Sequence, residues 1–452
     1  MPQITVLENL TPEKMSALIQ EALPPGHLAL LHLVADEALA HGLSLFIIGG
    51  FVRDLFVGNP GLDFDLVVEG DAVALASAIA SKYGGRITVH SHFGTASWYP
   101  DLDKLTNIKK GSFERRDMPP LDFVSARSEI YPHPGALPIV KRGTLKDDLQ
   151  RRDFTINTLA LRLDGVYFGQ LVDQSGGLED LKNGRVRVLH RDSYVDDPTR
   201  ILRAIRYEKR YEFKIAPGDL ELIGTAKSHL SGLSGERLRH ELDLILAEDK
   251  STSMLTRLNE LDILNKIHPF LAWDASRAGW IEGLKPPEPD SWKGAPDLLH
   301  MPHRVGLSYL VWLSHLGQTE IEELASRLDF AASLREALLS LSSLYPDLPD
   351  LVSVRRSEVV ARLEGLPLLA ICAASVSAGD RVRLILEDYL ARWRHIKPKT
   401  TGDQLIARGL PPGPDYKIIL NSLRTAWLDG ELKTEEEEME LLEKLIKQVQ
   451  TS

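Results

Sequence analysis

The chain has 452 residues, 43% hydrophobic and 26% charged, which is typical of a globular protein and too long for one ordinary core, so we expect several domains. Its single cysteine, Cys372, excludes an intramolecular disulfide and a cysteine-type zinc site. The net charge of -11 disfavours a chain that binds polyanions over its whole surface, although the acidic run 435–438 lies far from the arginine-rich middle. The first ten residues lack a signal-peptide pattern, and no apolar run is long enough to span a bilayer. We therefore expect a cytoplasmic protein with no membrane partner.

The first third of the chain mixes strand and helix patterns. Short apolar runs bounded by turn residues predict strands at 45–48, 64–68, 87–90, 95–99 and 121–127. Helices are predicted at 51–57 and 72–83, and the second of these ends at a Gly-Gly pair. The polar, basic segment 104–120 is predicted to be a surface loop. These patterns predict a small mixed sheet with helices, ending near residue 164.

Strand patterns stop after about residue 187. Helical periodicity follows at 198–211, 219–230 and 234–247, and continues to the C-terminus with proline-rich interruptions at 284–302 and 409–414. We therefore predict an α+β N-terminal region followed by an all-helical remainder.

Two aspartates, Asp63 and Asp65, stand at the start of a predicted strand. Residues i and i+2 of a strand point to the same face, so the two carboxylates converge. Such a pair repels itself unless a cation lies between the oxygens, and a hard divalent ion is a natural partner. Asp122 opens another predicted strand and is a candidate third ligand. Taken alone, the pair is better explained by a solvated turn at the edge of a strand.

The turn between the first strand and the first helix of this region is Gly49-Gly50, followed by Arg53. Glycines permit close approach of the backbone to an anion, and amides at a helix N-terminus bind phosphate. Arg53 adds charge-assisted hydrogen bonds. An ordinary strand-to-helix turn is the simpler alternative for the glycines alone.

A later helix has one cationic side. Asp197 followed by Pro198 is a standard helix start. The arginines after it are spaced three, three and four residues apart and share one side of the helix: Arg200, Arg203, Arg206 and Arg210. Aliphatic residues occupy the other side, which predicts arginines facing a cleft.

Four segments in order resemble the motif set of bacterial class II tRNA nucleotidyltransferases, in the DNA polymerase β superfamily. They are Gly49-Gly50-Phe51-Val52-Arg53-Asp54, Asp63-Phe64-Asp65, Arg151-Arg152-Asp153-Phe154-Thr155-Ile156-Asn157, and Asp196-Asp197-Pro198-Thr199-Arg200 with Arg203 and Arg206. The matching stretch runs from about 45 to about 246. The resemblance implies an N-terminal extension (1–40), a catalytic head (41–164), a nucleotide-binding neck (165–250), a helical body (251–395) and a tRNA-binding tail (396–452).

The resemblance also implies roles for individual residues. Asp63 and Asp65 would bind Mg²⁺, with Asp122 as a third catalytic carboxylate. Gly49, Gly50 and Arg53 would hold the triphosphate, and Arg152, Asp153 and Asn157 would contact the nucleotide and its ribose. Asp197 and Arg200 would read the base, while Arg203 and Arg206 would support the nucleotide. The implied activity is addition or repair of the 3′-terminal CCA of tRNA from CTP and ATP, without a nucleic-acid template and with release of pyrophosphate.

The base-reading role has an independent argument. Cytosine and adenine share an exocyclic amino donor beside an unprotonated ring nitrogen, whereas uracil and guanine present a carbonyl beside an N–H. A carboxylate only accepts and a guanidinium only donates, so Asp197 and Arg200 would accept C and A and reject U and G. The alternative is that Asp197 merely caps the helix and the arginines form surface ion pairs.

Three other functions remain open from the sequence: a poly(A) polymerase, an enzyme that adds only A or only CC, and a catalytically silent RNA-binding protein. The segment 236–241 is either a family helix that braces the neck or a charged solvent-facing helix. Residues 128–143 are expected to form a mobile loop. The oligomeric state is not readable from the sequence.

Overall fold

A computed structural model of the protein describes residues 10–58, 60–61, 65–90, 94–108, 120–284, 292 and 301–451. The chain divides into two compact units, Met1–Glu241 and Leu242–Ser452. A mixed sheet with helices forms the first unit and helices form the second, which confirms the predicted fold class. The finer division into extension, head, neck, body and tail stays a prediction.

The strands of the first unit are short. In chain order they are β1 Ser44–Ile48, β2 Asp65–Glu69, β3 Arg86–His90, β4 Thr95–Tyr99, β5 Leu121–Ser125, β6 Arg127–Ile130, β7 Ile139–Arg142, β8 Ala160–Arg162, β9 Gln170–Val172, β10 Arg185–Val186 and β11 Lys214–Ile215. Seven of them form one sheet in the order β3-β4-β5-β2-β1-β8-β9, in which β2 and β5 run parallel and the other neighbours antiparallel. β6 pairs with β7, and β10 pairs with β11.

The described part of the first unit also contains helices. They are α1 Pro12–Ala22, α2 Pro25–Ala40, α3 Gly50–Val57, α4 Ala72–Tyr83, α5 Leu102–Ile108, α6 Leu145–Gln150, α7 Gly177–Lys182, α8 Ser193–Asp196, α9 Thr199–Arg210, α10 Pro217–Ala226 and α11 Gly235–Leu246, the last of which crosses into the second unit.

Different helices cover the two faces of the sheet. On one face, Val67 packs in a buried cluster with Leu145 of α6, and Val124 joins this cluster. Ser125 points to the opposite face, since side chains alternate along a strand, and its hydroxyl accepts a hydrogen bond from the amide of Ala72 at the start of α4 (3.1 Å). The α6 face therefore also carries the residues two positions before Val67 and Val124, which are both aspartates.

Four local predictions were wrong. Residues 102–108 form a helix where a loop was predicted from 104 onward; the rest of that segment, 109–119, lies outside the described residues. The strand predicted at 121–127 ends at Ser125, because Ala126 is buried directly after buried Ser125 and its amide bonds to the carbonyl of Val68 (2.8 Å). The alternation that a strand requires is broken at this point.

The segment predicted to be a mobile loop, 128–143, contains most of a β-hairpin. Arg127 pairs with Arg142 and Ile130 with Ile139, and residues 131–138 connect the two strands. One further strand, β11, lies beyond residue 187, where none was predicted; it is two residues long and pairs with β10.

The described part of the second unit is helical, as predicted. Its helices are α12 Ser251–Glu260, α13 Ile263–Ile267, α14 Ala278–Glu282, α15 His303–Leu313, α16 Gln318–Leu328, α17 Ala332–Leu344, α18 Arg356–Leu363, α19 Leu368–Ser377, α20 Asp380–Ala391, α21 Gly402–Ala407, α22 Pro414–Asp429 and α23 Glu435–Thr451. Within the ranges described, no helix combines the length and the apolar character needed to cross a membrane.

One carboxylate of the acidic run at the start of α23 is buried. Glu438 is 1% exposed and accepts hydrogen bonds from the amides of Lys399 (3.0 Å) and Thr400 (2.7 Å) and from the indole of Trp427. Burial opposes its ionisation, but these donors lower its pKa. The acidic run is therefore not a uniformly solvated face, because Glu438 connects α23 to two other segments of the second unit through hydrogen bonds.

Candidate nucleotide-binding cleft

The Gly-Gly turn joins β1 to α3 and lies against an arginine. Gly49 has φ +86° and ψ -124°, and its amide donates to the carbonyl of Leu159 (3.0 Å). A Cβ atom at Gly49 would lie 2.8 Å from Nη1 of Arg152, whereas one at Gly50 would meet nothing closer than 3.6 Å. Position 49 therefore requires glycine both for its backbone conformation and for the approach of Arg152.

Arg53 of α3 is fixed from several directions. Its guanidinium donates to both carboxylate oxygens of Asp54 (2.8 Å each) and to Oδ1 of Asn157 (2.7 Å). It also lies 5.1 Å and 4.8 Å from the ring centroids of Tyr207 and Tyr211. Burial alone would lower the pKa of Arg53, but the hydrogen bonds that it donates to Asp54 raise it. Arg53 is thus a permanently charged and rigid group.

The carboxylates predicted to bind metal are partly described. Asp65 at the start of β2 is exposed and is the Cα partner of Asp122 on the parallel neighbour β5, so the two side chains share one face. The hydroxyl of Ser97 donates a short hydrogen bond to Oδ1 of Asp122. Asp63 lies outside the described residues, and among the residues that are described no group of three His, Cys, Asp or Glu is arranged to hold a metal ion.

A buried carboxylate, Asp148 of α6, organises the two arginines that follow it. Its side chain is 0% exposed; Oδ1 accepts from Arg151 (2.9 and 2.7 Å) and Oδ2 from Arg152 (3.3 and 3.1 Å). Arg151 also donates to Oε1 of Glu129 in the hairpin (3.2 Å). Asp148 of α6 therefore holds the guanidinium of Arg152 against the Gly49 turn.

Asp153 connects this segment to α9. Its Oδ1 accepts from the side-chain amide of Asn157 (2.8 Å), and its Oδ2 from Nη2 and Nε of Arg203 (2.6 and 2.9 Å). Burial opposes ionisation of Asp153, but the charges of Arg203 and Arg200 and the hydrogen bond from Asn157 together lower the pKa to about 2. The charge of Asp153 in turn raises the pKa of Arg203.

Asp197 and Arg200 stand at the beginning of α9. Oδ1 of Asp197 accepts from the amide and the hydroxyl of Thr199 (3.1 and 2.7 Å), which is the first residue of α9. The N-cap residue is Pro198, so the helix begins one residue later than predicted. Arg200 is buried and donates to the hydroxyl of Ser193 (2.5 Å) and the carbonyl of Arg151 (2.8 Å). The plane of the Arg200 guanidinium is therefore fixed, while some of its N–H groups remain available to a ligand.

Arg206 occupies a different environment. It is buried, and its Nη1 lies 3.4 Å from Oε2 of Glu241 on α11. Neither of these atoms makes a well-formed hydrogen bond, so the attraction is mainly electrostatic. Glu241 also lies 3.6 Å from Nη1 of Arg203. The structure places Arg206 behind the cleft rather than on its wall.

These groups surround one cavity of about 490 Å³, a volume in the range of small-molecule binding sites. Ten of the predicted site residues line it: Gly49, Gly50, Arg53, Asp65, Arg152, Asp153, Asn157, Asp197, Arg200 and Arg203. Asp122 and Arg206 are not among the lining residues. Six arginines against four carboxylates make the lining net positive, which suits a polyanionic ligand that also carries a cation.

The sequence did not identify several of the residues that line or support the cavity. Glu129 and Tyr131 belong to the segment that was predicted to be a mobile loop, and Arg127 was predicted only as the end of a strand. Tyr131 donates to Oε2 of Glu129 (3.0 Å). Burial and the neighbouring Glu129 raise the pKa of Tyr131, which keeps it a donor. The sequence held a usable signal for Asp148, since it precedes Arg151 and Arg152 by three and four residues, the spacing that brings side chains together on a helix such as α6.

Known proteins match this chain over nearly its whole length. The family described as "Poly A polymerase head domain" matches residues 45–187, and "Probable RNA and SrmB-binding site of polymerase A" matches 212–274. An A-adding tRNA nucleotidyltransferase of Halalkalibacterium halodurans is 30% identical over 439 residues, 96% of both chains. One of Geobacter sulfurreducens is 34% identical over 95% of this chain, which spans only 48% of that relative.

Solved structures agree with this assignment. A CCA-adding enzyme in its apo form II has a TM-score of 0.78 and 30% identity, covering 96% of this chain and 98% of the other. The Thermotoga maritima CCA-adding enzyme complexed with tRNA has a TM-score of 0.74, also at 30% identity and with the same coverage. With the fold, the cleft and full-length relatives in agreement, the chain belongs to the tRNA nucleotidyltransferase and poly(A) polymerase family.

Proposed function

We propose that this protein adds the 3′-terminal CCA of tRNA from CTP and ATP without a nucleic-acid template. The observation that carries the proposal is the single cleft in which Asp65, a set of fixed arginines and the pair Asp197–Arg200 meet. Its relatives named for tRNA nucleotidyl transfer support the substrate class. Work on tRNA also fits the expected cytoplasmic location, which stays a prediction.

The arginine side of the cleft suits the triphosphate. Arg152 lies against the Gly49 turn, and Arg53 lines the same wall. Charge-assisted donors of this kind bind phosphate oxygens, and their rigid mounting by Asp148 and Asp54 means that little reorganisation is needed as charge develops on the leaving pyrophosphate.

The carboxylate side suits Mg²⁺. Asp65 and Asp122 share a strand face, and Asp63 would complete the oxygen set that hard divalent ions prefer. Bound there, Mg²⁺ would supply charge neutralisation and activation of the RNA 3′-hydroxyl. The new bond joins that oxygen to the α-phosphorus, and the bond from the α-phosphorus to the bridging oxygen breaks.

Base choice falls to Asp197 and Arg200. Oδ2 of Asp197 receives no hydrogen bond from a described residue, and at most three of the five N–H groups of Arg200 are occupied. An accepting oxygen beside a donating guanidinium matches the edge shared by adenine and cytosine. Guanine or uracil would bring a carbonyl to the carboxylate and an N–H to the guanidinium.

The helical parts beyond the cleft would hold the RNA. The region 212–274 matches a family described as a probable RNA-binding site, which supports RNA contact from the end of α9 onward. We propose that the C-terminal helices grip the tRNA through its backbone and shape, which is how double-helical RNA is usually recognised. This contact would be independent of the base chosen in the cleft.

Addition of the terminal A alone is the second candidate. It is favoured by a specific observation: the two relatives that align over 95% and 96% of this chain are named A-adding enzymes. Residues in the described cleft would serve both activities, because reading adenine and reading cytosine use the same edge contacts.

The test uses purified protein, Mg²⁺ and tRNA transcripts ending at the discriminator base or in CC, with CTP, ATP or both, followed by sequencing of the 3′ ends. CC with CTP alone and CCA with both would support the proposal. Addition of one A only to the CC transcript would establish the second candidate. Long A tails would identify a poly(A) polymerase, and no extension of any transcript would contradict both candidates.

A further inference from the structure

Helix α11 presents two charged side chains, one turn apart, to the segment that carries the base-reading pair. Nη2 of Arg237 donates to Oδ1 of Asp197 (2.7 Å), and the carboxylate of Glu241 lies 3.6 Å from Arg203 and 3.4 Å from Arg206. The spacing of four residues puts both on one face. This helix segment is therefore engaged with α9 rather than facing solvent alone.

The two oxygens of Asp197 are used unequally. Oδ1 receives three donors, namely the amide and hydroxyl of Thr199 and the guanidinium of Arg237, whereas no described residue donates to Oδ2. The Asp197 side chain is 20% exposed and lines the cavity. Because Thr199 is only two residues away, Arg237 is the one of these donors that comes from a separate element. It fixes the direction in which Oδ2 points.

Arg237 is itself anchored at a second point. Its Nη1 donates to the carbonyl of Gly135 (2.8 Å), in the connection between β6 and β7. The amide of Gly135 is shared between the carbonyls of Val195 and Asp196 (3.3 Å each). Gly135 has φ +70°, and a Cβ atom there would lie 2.8 Å from the side chain of Leu233. The planar fork of Arg237 thus spans two fixed acceptors, which a single ammonium group cannot do.

We propose that Arg237 is a specificity-determining positioning residue, which orients the Asp197 carboxylate so that Oδ2 meets the exocyclic amino group of adenine or cytosine. Arg237 is not among the residues lining the cavity, so it acts through Asp197. The inference rests on the proposed function, since it assigns the residue a part in base selection at the same cleft.

Loss of the fork has a predictable consequence. Without Arg237, the Asp197 carboxylate keeps only its contacts to Thr199 and can rotate about its last side-chain torsion. The oxygen that repels the carbonyl of guanine or uracil is then no longer held in place. Discrimination against these bases falls, while the triphosphate contacts of Arg152 are untouched.

The experiment compares wild type with R237K and R237Q on tRNA transcripts ending in CC. It measures kcat/KM for ATP and for GTP together with the melting temperature. We expect the ATP-to-GTP ratio to fall by about tenfold or more in both variants, because one fixed polar contact in the discriminating pair is lost. R237K keeps the charge and lacks the fork, so it separates geometry from electrostatics.

Two matched controls sit on the same helix. E241Q weakens the contact of α11 with α9 without touching Asp197, and should lower stability while keeping the ATP-to-GTP ratio. E236Q removes one exposed carboxylate and should change neither. In the double variant R237Q/D197N, the ratio should be no lower than in D197N alone, because both changes act on the same carboxylate.

The outcomes are distinguishable. An unchanged ratio in R237K and R237Q, with losses of stability like those of E241Q, would overturn the inference and leave Arg237 as a brace. Additive losses of selectivity in the double variant would overturn it too. A wild-type protein that extends no transcript would instead overturn the proposed function.

Discussion

Replacement of Gly49 by alanine tests the arrangement of the phosphate side of the cleft. The added Cβ would lie 2.8 Å from Nη1 of Arg152 and 3.5 Å from the carbonyl oxygen of Asn157. Ordinary contacts of a Cβ atom begin near about 3.4 Å, so the guanidinium has to withdraw by roughly 0.6 Å or more. Because Asp148 holds Arg152 from the other side, the withdrawal also strains that ion pair.

Two free energies follow from this geometry. The backbone of Gly49, with φ +86° and ψ -124°, lies in a region that other residues avoid, so alanine should lower the free energy of unfolding by about 1–3 kcal/mol. Displacing Arg152 from the triphosphate should remove a charge-assisted hydrogen bond of about 1.5–3 kcal/mol. At about 1.4 kcal/mol for each factor of ten, kcat/KM for ATP should fall roughly tenfold to a hundredfold.

The assay measures kcat/KM for ATP on a tRNA ending in CC, with melting temperatures, for G49A, R152A and the double variant. Gly58→Ala is the matched control: its φ is +81°, but a Cβ atom there meets nothing within 4 Å. G58A should lose stability and keep activity. If G49A acts by displacing Arg152, the double variant should be no worse than R152A. A G49A protein with wild-type kcat/KM would refute the reasoning.

Four other substitutions test the remaining groups of the cleft. Asp65→Ala should reduce nucleotide transfer by about a thousandfold or more, because the proposed site would lose one of its Mg²⁺ ligands. The melting temperature should stay within a few degrees, because Asp65 is exposed; retained activity would remove Asp65 from the metal site. Asp153→Asn should destabilise the fold by about 2 kcal/mol near neutral pH, since the pKa of Asp153 is lowered from 3.8 to about 2. This stabilisation is fully present above about pH 3.8 and is lost as the pH falls through 2, so the difference in unfolding free energy between wild type and D153N should shrink over that window; a constant difference would contradict the ion pair with Arg203. Asp197→Asn or Arg200→Lys should lower selectivity for A and C over G and U, measured by competition with all four triphosphates. Unchanged selectivity would contradict the proposal that these two side chains select the base.

Local sequence signals predicted the elements whose ends are set by local chemistry. The helix at 72–83 has the predicted bounds, because Asp71 caps its start and Gly84 follows its end with φ +81°. The strand predicted at 121–127 failed where long-range burial decided the outcome: Ala126 is drawn into the cluster with α6, and no pattern within the strand shows this. The hairpin at 127–142 was missed for a different reason: its strands are half-buried or exposed and pair with each other, so no long apolar run marks them in the sequence.

The candidate site was also predicted in part: the motifs identified its residues but not the pairings between them. Motif order alone brought Gly49, Arg152 and Asp197 together as candidates, and the structure places all three on one cavity. The motifs could not show which partner each arginine binds. Arg203 forms an ion pair with Asp153, and Arg206 lies behind the cleft beside Glu241. Such pairings depend on contacts between distant segments, for which a single sequence carries no spacing rule.

The order of strands in the sheet has a consequence for folding during synthesis. Strand β1 pairs with β2 soon after both are made, but its other neighbour, β8, follows only after the hairpin and α6. Asp197 and the helix that orients it come later still. Closing such long loops is slow, so a growing chain can pair β1 with β2 well before any base-reading wall exists. Nucleotide selectivity should therefore be the last property that the first unit acquires as it leaves the ribosome, and a chain interrupted before α11 should lack it.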